Sequence, residues 1–355
     1  MPSRLERTIA KFRADVLAQD AKTTQSILTA YQPARERLIK RIDALVTAMQ
    51  ERDLTQTEIM QWDRARELFR QIEIEVARLS GLTSKQITSG QDRLVAMAGD
   101  DAKALALVSA SNPGTVASID ASWDQLKPDD VEVLVGRMSD GSPLNDTLAK
   151  YGTETGDAIR RALQQAVATG MNPRATAALL AREVDVAGWK LLRIARSEQL
   201  NAYRSATLAS YRANDDIISQ WEWISAHQAR TCLACLSLDG QKFDLTVEFQ
   251  PTHPNCRCSS IPVVKGEPNR IRQTGTQYFD SLPDADKQSM MPAVAFDDYQ
   301  AGRLQLGDFR HLRHDEDWGD SYVQASAAQA RANAAKRGVK FPARSGRNHL
   351  EISRK

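Results

Sequence analysis

Apolar residues recur every three or four positions along most of this chain. Leu5, Ile9, Phe12, Val16 and Leu17 form one stripe, and Leu38, Ile42, Leu45, Val46 and Met49 form another. That period is helical. Pro33 lies between the stripes and is expected to kink or end the first helix, because proline removes one backbone donor and crowds the preceding turn. Thr55 followed by Glu58 has capping-box spacing. It opens a third run through Ile59, Trp62, Leu68, Phe69, Ile72, Val76 and Leu79, which Gly81 is expected to close. A further helix, from about Ser84 to Ala110, is weakened by Gly90 and Gly99. Charged outer faces and narrow apolar stripes suit a helical hairpin or coiled-coil-like arm, and equally an ordinary helical domain.

Asn112-Pro113-Gly114 breaks the pattern. Helices are then expected from Leu126-Lys127-Pro128, from Leu144 to Thr169 with a stop at Gly170, and from Asn172 and Pro173 to about Val184. A long helix follows from about Val186 to Arg212. At 216 the period changes from helical to alternating. Residues 216–225 contain the strand pattern IISQWEWIS, Asp239-Gly240 has the signature of a tight hairpin, and CRCSSIPVV reads as another strand ending at Val264. Short helices are expected at 277–282 and 284–303, broken at Pro283 and Pro292, and again at 304–312. The fold class expected is mainly α with a small β-rich module (α+β). The domains expected are a helical arm or hairpin domain (1–112), a helical domain (113–215), a β-rich Cys/His module (216–266), a C-terminal helical segment (267–325) and a basic, flexible tail (326–355).

At 355 residues the chain exceeds one small core. No apolar run approaches the roughly 20 residues that span a bilayer, so membrane association is not expected. The first residues are charged throughout and lack the apolar core of a signal peptide. The formal net charge is +2, but it is uneven. Residues 326–355 carry eight Lys/Arg against one acid, Glu351, so the body is mildly acidic. Arg331, Lys336, Arg337, Lys340, Arg344 and Arg347 are therefore candidate contacts for a polyanion such as DNA, or belong to a merely solvated end.

The chemistry concentrates in one place. All four cysteines lie between 232 and 258, in the pattern Cys232-x2-Cys235-x17-His253-x2-Cys256-x-Cys258. A structural zinc takes four thiolate or imidazole ligands. Five candidates compete for four positions. Cys256 and Cys258 sit two apart and can share one face of a strand, so an all-thiolate site and a three-thiolate, one-imidazole site both fit. A disulfide and plain buried thiols are the alternatives. With all positions filled the site is closed to water, and its role is structural.

No metalloprotease, deaminase, P-loop or dinucleotide motif is present. A zinc-dependent nuclease or protease would need a base such as Asp239, Asp244 or Glu248. A nucleic-acid-binding zinc module would need a basic face, yet residues 217–264 carry Arg230, Lys242 and Arg257 against Glu222, Asp239, Asp244 and Glu248. Glu198 lies near an apolar stripe, where a carboxylate needs a cation, and Arg230 is the candidate. A solvated Glu198 near Arg196 or Lys190 is the alternative. Trp221 and Trp223 share a strand face and are expected in the core rather than as a base-stacking platform.

Together these segments resemble the Mu F-like minor head proteins of tailed phages, also called phage head morphogenesis proteins. The resemblance is carried by IARSEQLNAYRSA (194–206), RTCLACLSLDGQKF (230–243) and HPNCRCSSIPVV (253–264), and more weakly by GMNPRATAALL (170–180), SDGSPL (139–144) and residues 278–309. Ser197 stands where the family commonly has Thr, and Gln228 where it has Asp. The resemblance implies a non-enzymatic virion protein inside the head, with the host cytoplasm as its place of assembly. It would be present in few copies around the portal and act in head assembly and in DNA packaging or ejection. The portal protein is the implied main partner, with capsid or scaffold protein and packaged DNA as further partners. The N-terminal helices are the expected portal-facing surface, on the strength of their amphipathic pattern.

Overall fold

The computed structural model describes residues 3–50, 63–138, 141–249, 253, 255–268, 273–315 and 319–341. The proposed capping box at Thr55 and Glu58, with Ile59 and Trp62, lies outside these residues. The chain divides into two compact units. One comprises 1–222, 242–249 and 254–271, the other 223–241, 250–253 and 272–355.

The first unit is built on three long helices: α1 (Arg4–Gln50), α2 (Asp63–Ser109) and α6 (Pro173–Ala213). Shorter helices α3 (Pro113–Ser122), α4 (Pro128–Glu132) and α5 (Leu144–Ala168) complete it. Ile42, Ile72, Leu163 and Leu180, drawn from α1, α2, α5 and α6, are wholly buried in one shared core. Each such side chain contributes about 1.5–3 kcal/mol on burial. Val16, Leu94, Ala98, Leu200 and Ala206 form a second cluster along the same helices. The boundary expected at 112 therefore falls inside one unit. The apolar stripe of residues 1–112 packs against α5 and α6.

Three expected helix breaks are absent. Pro33 lies inside α1. It faces solvent, where the carbonyl that loses its partner can be hydrated. Gly81 is also exposed and stays helical within α2. The stretches expected to part near Val184 and Val186 are a single helix. There Tyr31 Oη donates to the Val184 carbonyl at 2.6 Å and Tyr151 Oη to the Ala187 carbonyl at 3.0 Å. Gly90 does have a packing role. A Cβ there would meet Gln199 Oε1 at 2.3 Å and Thr23 Oγ1 at 2.8 Å, so α1, α2 and α6 converge on its bare backbone. Ion pairs fasten the outer faces: Arg37 holds Glu75 through two bonds of 2.7 and 2.9 Å, and Arg196 reaches Asp20 at 2.8 Å.

The two expected strands are β1 (Ile218–Ile224) and β3 (Ser259–Val264), and β2 (Lys242–Asp244) joins them in one sheet with β1 central. β1 and β2 are antiparallel, with Trp221 opposite Phe243. The module expected at 216–266 thus contributes residues to both units. Trp221 and Trp223 are core residues, as read from the sequence. Trp221 is stacked between Phe243 and Phe249, with ring centroids at 4.5 and 5.2 Å. Asp239-Gly240 does not close a two-residue hairpin. It turns the chain from helix α7 (Leu233–Leu238) into β2, with Gly240 at φ +85°, a backbone state that glycine alone adopts without penalty.

In the second unit α7, α8 (Gly275–Ser281), α9 (Asp284–Met290), α10 (Phe296–Gln300) and α11 (Ala327–Lys336) surround Leu233, Leu236, Phe279, Phe296, Phe309 and Ala330. The helix expected at 304–312 is instead a short 3₁₀ turn followed by β4 (Arg310–Asp315), which pairs antiparallel with β5 (Gly319–Gln324). Within the segment expected as a flexible tail, residues 327–336 form α11. Ser326 caps α11, and its hydroxyl accepts from Gln329 N at 3.3 Å. The buried carboxylate of Asp298 takes Arg303 at 2.7 Å and Arg331 at 2.6 Å. Burial pushes its pKa up, but the two guanidinium groups outweigh that and hold it below the usual value. Arg337 likewise pairs with buried Asp308.

Candidate metal centre

β1 delivers the chain to Ser225, and a short loop leads to Cys232. Cys232 caps α7, accepting at its sulfur from the backbone N–H of Cys235 at 3.4 Å. The six residues of α7 are all buried, so the two thiols one turn apart are held by a helix with little freedom to move. Gln324 of β5 fixes its first turn, with Oε1 accepting from Leu233 N at 3.0 Å. Asp239 fixes its other end. One carboxylate oxygen accepts from Ser225 N, and the other lies 2.9 Å from His227 Nε2. The His227 ring in turn stacks on Tyr278, centroids 4.6 Å apart.

His253 Nε2 lies 3.3 Å from Cys232 Sγ and 3.4 Å from Cys235 Sγ. All three potential ligand atoms are within 4.8 Å of one another. A tetrahedral ion with zinc–sulfur and zinc–nitrogen bonds spaces its ligand atoms about 3.5–3.8 Å apart. The donor set and its spacing therefore suit a thiophilic cation. The Cys232 thiol is already biased toward the thiolate, with its pKa drawn down to about 5. The Cys235 thiol's hydrogen bond is the largest cause, and the bond and charge of His253 and the Cys235 N–H add to it against the cost of burial. A thiolate is the form that binds metal.

Cys256 and Cys258 are buried, as residues of the first unit. Their loop is fastened to α6 by its main chain. Arg204 Nε donates to the Cys258 carbonyl at 2.8 Å and Nη2 to the Cys256 carbonyl at 2.6 Å, while Nη1 reaches Asn201 Oδ1 at 3.0 Å. Asn255, at φ +65°, donates its N–H to Ser197 Oγ at 3.3 Å. The hydroxyl kept at Ser197 thus has a partner. The structure brings Cys232, Cys235 and His253 together in the second unit, with Asp239 and His227 supporting α7; sequence reasoning missed His227 there, and in the first unit it missed Arg204 and Asn201. Ser197, Asn201 and Arg204 were readable as a polar stripe at four- and three-residue spacing on a largely apolar helix.

Other site residues have local roles. Glu198 is buried and accepts from Asn201 Nδ2 at 3.5 Å; Arg230, its expected partner, is exposed and donates Nε to Gln228 Oε1 at 3.2 Å. Asp244 caps the turn at Thr246, and Glu248 pairs with Arg212 at 2.9 Å. Of the basic tail residues, Arg331 and Arg337 are committed to Asp298 and Asp308, and Lys336 and Lys340 are exposed. Arg344 and Arg347 lie outside the described residues.

Residues 157–261 match the family model described as Phage Mu protein F like protein. That segment is Mu F-like. It contains α6, β1, β2, the first residues of β3 and every cysteine of the candidate centre. The match agrees with the resemblance carried by the motifs at 194–206, 230–243 and 253–264. The curated proteins and the solved structures contain no match to this chain. Among the described residues, no helix is long and apolar enough to cross a membrane.

Proposed function

We propose that this chain is a minor head protein that associates with the portal inside the procapsid, in few copies, and acts in head assembly and in DNA packaging or ejection. The observation that carries the reading is the Mu F-like match over 157–261. Capsid or scaffold protein and packaged DNA are further partners in this reading, the DNA through the exposed basic residues at the C-terminal end. We also propose a structural zinc held by Cys232, Cys235 and His253, with Cys256 or Cys258 supplying the remaining position because they follow His253 by three and five residues. In this reading the protein performs no turnover. Asp239, Asp244 and Glu248, the carboxylates that a zinc hydrolase would need, are each engaged in a local contact.

The portal-facing surface that best suits this function is the groove that α1 shares with α6. It is lined by Leu28, Val186, Trp189 and Leu192, with Lys190 and Arg193 beside them. Trp189 is 73% exposed and Val186 51%. Exposed tryptophan beside cations is typical of an interface anchor, and the complementary portal segment would be apolar with an acidic flank. Deleting 1–110 would strip the shared core, so a surface variant is the cleaner probe. In co-sedimentation with purified portal rings, the native chain should pellet with the ring. Trp189→Asp should lower the affinity at least about tenfold, as expected for a central anchor, with an unchanged helical CD spectrum. A native chain that stays in the supernatant at all concentrations contradicts portal association, and an unaffected Trp189→Asp variant removes this groove from it.

A further inference from the structure

We infer that Arg204 is a positioning residue for the metal centre, and that it works by fixing the main chain of the Cys256–Cys258 loop. The inference rests on the zinc reading above. Residues 255–258 have no helix or strand of their own. Without a ladder, their carbonyls need another partner to hold one geometry. Arg204 supplies it to both cysteines at once, with Nε on the Cys258 carbonyl and Nη2 on the Cys256 carbonyl. Asn201 receives the third arm of the guanidinium at 3.0 Å and so sets its plane. One turn earlier, Ser197 holds Asn255, whose left-handed backbone starts the loop.

Arg204 is only 3% exposed. Burying a guanidinium costs free energy that its hydrogen bonds must offset. A helix that needed only packing at this position would carry an apolar side chain, as neighbouring Leu200 and Leu208 do. The rigid planar fork bridges two carbonyls two residues apart, a geometry that the single ammonium of lysine cannot reproduce. Groups that orient ligands in this way typically change metal affinity 10- to 100-fold when replaced.

The test uses the full-length chain, with zinc affinity measured by competition against a chromophoric chelator and the ligand set read from the absorption of the cobalt(II) form. Arg204→Lys and Arg204→Gln should each weaken zinc binding about 10- to 100-fold. Both should lower the sulfur-to-cobalt charge-transfer intensity while the far-UV CD spectrum is retained. Arg204→Lys with native affinity and native intensity overturns the inference. Should the Arg204 variants fail to fold, Ser197→Ala decides. It removes one hydroxyl and no charge, and it should weaken zinc binding several-fold; unchanged affinity overturns the inference. Absence of zinc or cobalt binding by the native chain refutes the zinc reading itself, and that result appears before any variant is made.

Discussion

Asp101 shows how much a single residue's setting matters. It lies in α2, nearly buried, and accepts a hydrogen bond from Tyr203 Oη at 2.7 Å. Burial is the largest influence on it and, with Asp15 and Asp100 nearby, raises its pKa to about 6. The folded chain therefore holds a proton that the unfolded chain has released between about pH 4 and 6. The stabilisation from this group is complete below pH 4 and is lost as pH rises through 6. Asp101→Asn keeps an acceptor for Tyr203 and cannot titrate. Urea midpoints measured from pH 4 to 8 should fall less steeply across that window in the variant; an identical slope would show that Asp101 titrates normally. At this scale the cysteines and His253 were legible because the pairs stand at fixed short spacings. Arg204 was not, because a basic residue on a long helix looks like any solvated charge until its helix is placed against the loop.

At the scale of elements, periodicity identified most helices and two of the three strands of the first sheet, β1 and β3. Its errors arise where tertiary packing overrides a local signal. Pro33, Gly81 and the stretch near Val184 each suggested a break, and each lies within a continuous helix. Exposure makes the first two cheap, and hydrogen bonds from Tyr31 and Tyr151 hold the third. The hairpin of β4 and β5 was missed because RHLRHD is too polar for its alternation to stand out; one of its faces is solvated. Gly90 was read as a weakness of its helix, whereas it is where three helices meet. Gly90→Ala should therefore destabilise the first unit by about 1–3 kcal/mol, the cost of overpacking a tight interface, despite alanine's better helix propensity. A chemical denaturation series would measure it. A stabilised variant would mean that Gln199 and Thr23 can move aside freely.

In the whole molecule, each unit gathers residues from distant parts of the chain. Composition shifts suggested cuts at 112 and 216, but the core of the first unit draws on α1, α2, α5 and α6. Covalent order and spatial order diverge here, because a helix near residue 40 completes the core begun near residue 180. The C-terminal end was read as a polyanion contact or a solvated end, and within it Arg331 and Arg337 seal onto buried aspartates. The account as a whole depends on a closed, metal-filled centre that leaves the surfaces to bind partners. The most direct test is elemental analysis of the purified full-length chain, followed by thermal unfolding with and without a strong chelator. The account predicts close to one zinc per chain and a marked fall in unfolding temperature on its removal, since a structural zinc contributes on the order of 10 kcal/mol. A chain that takes up no zinc, and whose unfolding is indifferent to the chelator, would contradict it.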